Sequence, residues 1–254
     1  MIRSSTGEKE RQLFFGPPGG GKSKAYLDIY DNIDTHMYIV DTDVATERMF
    51  TNRDQSRATI TEATDYITAA TALLKYNKIA KAGDWLVVDM ITPTWGWCQD
   101  YWVTKKVKGA GDLAIWMPDK EIDYDWVAIN RLYNNFLNLI LSCQAHVLVI
   151  AEEDTLAKEG SKWENQADKA FATTGRKPRG NKRVPHLFHE VVHCTKIEMA
   201  EPQWRMTMAK EREGRECDWV RKDMTGLTFW EEYLIEVADW VEVAPPKKIR
   251  RVAK

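Results

Sequence analysis

The sequence predicts an α/β fold of three layers, a mostly parallel sheet covered by helices on both faces and closed by a C-terminal antiparallel hairpin. Three observations predict it. Short, continuously apolar runs alternate with longer helical stretches, the pattern of strands buried on both faces. A glycine-rich segment, residues 16–21, sits between the first apolar run and the first helix. Near the end, two strand-like runs lie close together, 187–199 and 203–210, with a turn at 200–202.

The elements follow in order. A strand over 12–15 enters the glycine-rich loop, and a helix runs from Lys22 to about Tyr30. Met37–Asp41 is a second strand. Residues 61–81 predict a helix with Ile67, Ala70, Leu73 and Leu74 on one face. Residues 85–89, Trp-Leu-Val-Val-Asp, predict a third strand that ends in an acid. An aromatic-rich stretch over 92–125 precedes a strong helix over 126–143, with Ile129, Leu132, Phe136, Leu137 and Ile140 in register. A fourth strand covers 146–151. Residues 152–185 are polar, contain Gly160, Gly175 and Gly180, and predict a long loop. A last helix is expected over 229–240, before a basic tail with Lys247, Lys248, Arg250, Arg251 and Lys254. The division expected is a flexible N-terminus over 1–11, a core over 12–224, and a C-terminal helix and tail over 225–254.

Composition bounds the function. A chain of 254 residues, 44% hydrophobic, can bury a substantial core, which excludes a disordered protein. The formal net charge of −2 gives no global signature of nucleic-acid binding, so only local clusters can. Cys98, Cys143, Cys194 and Cys217 are widely spaced, unlike a disulfide framework or a zinc site. No run reaches the length of a membrane helix, and 1–11 lack an apolar signal core. A cytoplasmic protein with no membrane partner is expected.

Gly16-Pro17-Pro18-Gly19-Gly20-Gly21-Lys22-Ser23 matches G-x-x-x-x-G-K-[ST] at every fixed position. The glycines let backbone amides turn inward around phosphate oxygens, and the following helix N-terminus favours negative charge. The expected ligands are ATP and Mg²⁺. Lys22 reaches the β- and γ-phosphates, the Ser23 hydroxyl sits on the metal, and Asp89 is its partner acid. Hydrolysis also needs a carboxylate to orient or deprotonate water. Met90 follows Asp89 where many related ATPases carry that acid, so Asp41 and Asp43 are the candidates, at the end of the second strand.

This layout resembles the RecA-like ATPases, in which the catalytic carboxylate follows the second strand; the resemblance implies Asp43 for that role. Residues 209–214, Ala-Lys-Glu-Arg-Glu-Gly, look like the K-x-R-x-G segment of hexameric helicases such as DnaB. That match implies that Lys210 and Arg212 reach a neighbouring subunit's ATP site. Over roughly residues 10–215 the chain resembles phage-encoded RecA-core ATPases of single-strand annealing and recombination. By that resemblance it is a homo-oligomer with ATP at its interfaces. It acts on single-stranded DNA in an infected host cell, with a single-strand binding protein as a further partner. Glu152 stands where RecA proteins carry the Gln that senses the γ-phosphate.

Residues 172–183 carry Arg176, Lys177, Arg179, Lys182 and Arg183 without an acid. In the RecA-like layout this is the second DNA-binding loop, and its binding weakens with salt. The first such loop corresponds to the stretch after Asp89, where Trp95, Trp97, Tyr101, Trp102 and Trp116 stand beside Lys105, Lys106 and Lys108; such faces suit unstacked bases or, equally, core packing. Two other functions share the phosphate loop. One is a small-molecule or nucleotide kinase with 152–183 as a lid; the other is a packaging or replication motor or loader ATPase.

Overall fold

The computed structural model describes residues 2–4, 7–106, 122–157, 169–211 and 215–242. The elements run β1 (Ile2–Ser4), β2 (Arg11–Gly16), α1 (Lys22–Asn32), β3 (Met37–Asp41), α2 (Thr46–Phe50), β4 (Ala58–Glu62), α3 (Tyr66–Ile79) and β5 (Trp85–Asp89). They continue with α4 (Thr94–Lys106), α5 (Ile122–Ser142), β6 (His146–Thr155), β7 (Arg176–Pro178), β8 (Glu190–Ile197), β9 (Gln203–Lys210), β10 (Lys222–Asp223) and β11 (Trp240–Glu242).

The main sheet has the order β10-β9-β8-β2-β6-β5-β3-β4, with β7 paired to the end of β6. From β8 to β4 every neighbouring pair is parallel, whereas β9 and β10 are antiparallel. This is the three-layer P-loop NTPase fold that the sequence predicts. Side-chain alternation along the strands divides the core in two. Leu13, Phe15, Val40 and Val88 face α3, α4 and α5. Phe14, Ile39, Val87 and Ile150 face α1 and the C-terminal segment around Trp219, Phe229 and Tyr233.

Several boundaries differ from the sequence reading. Thr61 and Glu62 belong to an edge strand, β4, and not to a helix. Asp65 starts α3 instead, its carboxylate accepting the Thr68 amide at 2.9 Å. The buried stripe of α3 is Ala69, Ala70, Leu73 and Tyr76, while Ile67 and Leu74 point to solvent. The helix expected over 229–240 is a single π-type turn, Trp230–Ile235. Trp240 then opens β11, which pairs antiparallel with β1. The loop expected over 152–185 is partly ordered, because β6 runs on to Thr155 and β7 pairs back onto it.

Candidate functional site

The carboxyl ends of the parallel strands bring together residues far apart in sequence. Across that edge, Gly16 is the register partner of Glu152, Asp89 that of Ile150, and Asp41 that of Asp89. The phosphate loop leaves the middle of this edge. Gly16 has no room for a side chain, since a Cβ there would lie 2.0 Å from the Cys194 carbonyl oxygen. Gly21 caps α1 in the left-handed conformation, which turns the helix N-terminus toward the loop. Lys22 is buried and folds back, its Nζ donating to the carbonyls of Gly16 at 2.9 Å and Pro17 at 2.8 Å. Burial lowers its pKa, against the opposing charges of Asp89, Glu152 and Glu153 among others.

Ser23 Oγ donates to Asp89 Oδ2 at 2.9 Å, and the buried Tyr26 hydroxyl donates to the same oxygen at 3.1 Å. Burial raises the Asp89 pKa, while these hydrogen bonds oppose the rise. A hydroxyl and a carboxylate converging at a helix N-terminus are hard oxygen donors. They fit Mg²⁺, which takes one or two protein oxygens and fills its shell with water and phosphate. Among the described residues there is no cluster of three or more His, Cys, Asp or Glu side chains that would hold a metal by themselves.

The two candidate bases part company here. Asp41 is buried, and both its oxygens are occupied: Oδ1 accepts from the Val44 amide at 3.1 Å and Oδ2 from the Thr46 amide at 2.8 Å. Asp43 is exposed and lines a cleft of about 540 Å³ with Thr42, Met90, Trp95, Glu152 and Arg179. Lost hydration in the cleft, the hydrogen bond with Asp41 and the charges of Asp89 and Asp41 push its pKa up to about 6.

Of the five cations in the basic segment, Arg179 and Arg176 turn toward the sheet edge. Arg179 Nη1 lies 2.9 Å from Glu152 Oε2, and Arg176 Nε lies 3.7 Å from Glu153 Oε1. Glu153 also meets His193 Nε2 at 2.9 Å, with the His193 ring stacked on Phe15. Lys182 and Arg183 are exposed, and Lys177 is half-buried. In the aromatic stretch, Trp95 packs edge-on against Tyr133 with ring centroids 5.0 Å apart, and Trp97 and Trp102 pack on the core below α4. All three are half-buried, so packing takes up part of each ring, and Trp95 also lines the cleft. Lys106, in the last turn of α4, has no described side chain, and Lys108 and Trp116 lie outside the described residues.

Lys210 stands apart from the loop of its own chain. Trp204, near the start of β9, donates its indole N–H to the Gly19 carbonyl at 3.2 Å. Lys210 ends the same strand, roughly 20 Å away at the usual strand rise. Its Nζ donates to the carbonyls of Pro185 at 2.8 Å and Phe188 at 2.6 Å. Arg212 lies outside the described residues.

A cavity of about 230 Å³ opens beside Gly20, Gly21 and Lys24, walled by Trp204, Met224 and Leu227. The C-terminal segment is fastened there: Lys24 Nζ donates to the Leu227 carbonyl at 3.0 Å and the Phe229 amide to Asp28 Oδ2 at 3.1 Å. No local pattern marks Met224 or Leu227, because their role exists only once that segment packs on α1.

Comparison with known proteins adds the family. A family model described as an AAA domain matches residues 8–216. No curated protein matches the chain. One similar solved structure is the RadB recombinase, 14% identical, covering 85% of each chain with a TM-score of 0.44. Another is an ATPase from the type III secretion system of pathogenic bacteria, 12% identical, with a TM-score of 0.41. There the match covers 74% of this chain and 52% of that one. No helix among the described residues is long and apolar enough to cross a membrane.

Proposed function

The chain belongs to the AAA domain family and is a P-loop ATPase; from that premise we propose that it is a RecA-like, DNA-stimulated ATPase acting on single-stranded DNA in phage recombination or annealing. The observation that carries the ATP site is the 2.9 Å contact of Ser23 with Asp89 beside a folded-back Lys22. When phosphates arrive, Lys22 exchanges two carbonyls for phosphate oxygens, and the loop amides take the remaining charge. Ser23 and Asp89 would hold Mg²⁺, which would supply neutralisation of phosphate charge. The base seats in the apolar cavity beside Trp204 and Leu227, too small for a whole nucleotide but suited to one ring system. Asp43 takes the proton of the attacking water. Its exposed position on the cleft supports this role over the buried Asp41, whose oxygens cap the backbone.

In this reading Lys210 and Arg212 serve a neighbour's site, so the working form is a homo-oligomer with ATP at its interfaces. The distance from Lys210 to its own phosphate loop supports action in trans. The exposed Lys182 and Arg183, with Lys177, contact DNA phosphates; Arg176 and Arg179 are engaged by Glu153 and Glu152.

The test is ATP turnover with and without single-stranded DNA across a salt series. Stimulation that fades with salt, with a binding slope of about −0.7 per phosphate contact, is expected. Turnover that ignores DNA, together with no salt-sensitive binding, would remove the DNA role and leave the ATPase. Arg212→Ala is expected to abolish turnover while sparing ATP binding; loss of binding would argue against a finger.

A further inference from the structure

Glu152 poses an electrostatic problem. It is the register partner of Gly16, the first residue of the phosphate loop, and it bears on the charge of Lys22. A polyphosphate resting on the loop would meet this carboxylate, and two anions at close range repel each other.

Arg179 is built to answer it. Its Nη1 lies 2.9 Å from Glu152 Oε2, and its backbone N–H donates to the Glu152 carbonyl at 2.8 Å. A strand holds the residue in place: β7 pairs with β6 through Glu153↔Pro178, Asp154↔Lys177 and Thr155↔Arg176. The Arg179 side chain is 61% exposed. It lines the cleft shared by Asp43 and by Met90, the neighbour of Asp89. A guanidinium carries five N–H donors in a planar fork, so the bond to Glu152 leaves others for a second anion.

We propose that Arg179 is a catalytic residue acting in cis: with nucleotide bound, its guanidinium bridges Glu152 and a γ-phosphate oxygen of the same chain. The inference rests on the ATPase reading above and assigns Arg179 to nucleotide chemistry in place of DNA contact. In the step it assists, a water oxygen attacks the γ-phosphorus while the bond to the β–γ bridging oxygen breaks. ADP leaves with that electron pair, inorganic phosphate forms, and Asp43 takes the water's proton. Arg179 keeps all its protons and stabilises the charge spread over the γ-phosphate oxygens. Glu152 is then a positioning residue that aims the guanidinium.

Four chains test this: wild type, Arg179→Ala, Arg179→Lys and Lys22→Ala. Steady-state hydrolysis and calorimetric ATP binding are measured on each. Arg179→Ala is expected to lower kcat by about 10³-fold, with ATP affinity within about threefold of wild type. Arg179→Lys should recover only part of the loss, since an ammonium cannot fork between two anions. Mixing Arg179→Ala with Lys22→Ala should give no more turnover than the two alone. Unimpaired kcat in Arg179→Ala, or turnover restored by mixing, would overturn the assignment in cis. Wild-type protein that neither bound nor hydrolysed ATP would remove the ATPase reading and this inference together. Wild-type turnover with an unimpaired Arg179→Ala removes the inference alone.

Discussion

The Ser23 hydroxyl donates a 2.9 Å hydrogen bond to Oδ2 of Asp89, a carboxylate 66 residues downstream. The bond crosses β6, the strand between β2 and β5, and brings the two proposed metal ligands together.

Asp89→Asn keeps the shape of this contact and removes the charge. Turnover should fall by on the order of 10²-fold, and ATP affinity should lose its dependence on added Mg²⁺, as read by calorimetry with and without the metal. Stability should move the other way. A carboxylate whose folded pKa is raised binds its proton better in the folded state, so at neutral pH its buried charge costs stability. The melting temperature of Asp89→Asn should equal or exceed that of wild type. A lower one would mean that the charge holds the loop together.

The proposed base gives a pH signature. The pKa of Asp43 is pushed up to about 6, and a base must be deprotonated to accept a proton. In wild type, kcat should rise as pH passes upward through that value and then level off. Asp43→Asn should be slower by about 10²–10⁴-fold and show no such rise. A profile that stays the same in both chains would take Asp43 out of the mechanism.

Two glycine substitutions in the phosphate loop should compare a conformational cost alone with one to which a steric clash is added. In Gly16→Ala the new methyl meets the Cys194 carbonyl at 2.0 Å, so β8 has to shift, at a cost of roughly 1–3 kcal/mol or more on top of the strain of a positive φ of 155°. In Gly19→Ala the space is open and only the positive φ of 73° is strained, at roughly 1–2 kcal/mol. Urea denaturation should rank Gly16→Ala below Gly19→Ala. Equal stability would show that β8 yields freely.

His146 should make the fold acid-sensitive. Its Nδ1 accepts the Glu10 amide at 3.0 Å, and its ring lies 4.9 Å from those of both Trp85 and Trp240. Burial pushes its pKa from 6.5 down to about 4. The folded value lies below the unfolded one, so its contribution is complete above about pH 6.5 and is lost as pH falls toward 4. About 3 kcal/mol is at stake over that window. His146→Gln keeps an acceptor for the amide and does not titrate, so its unfolding free energy should change less between pH 7 and pH 4.5 in urea melts.

The phosphate loop and the buried strands were legible in the sequence because each is set by local requirements. Glycines stand where the backbone turns back on itself, and Trp85 to Val88 form an unbroken apolar run because that strand is buried on both faces. Asp89 could be chosen as partner to Ser23 because a parallel sheet carries its strand ends to one edge. The edge strand Ala58–Glu62 leaves no such mark in the sequence, because it is only half-buried and lacks the apolar run of its neighbours. The register of β7 against β6 pairs Arg179 with Glu152, and the packing of the chain's end on α1 makes a cavity beside Gly21. The fold of β9 sets Lys210 at the edge opposite its own phosphate loop. Periodicity and motif spacing report what a segment does with its own neighbours, whereas these three relationships are contacts between distant segments that exist only once the sheet is assembled.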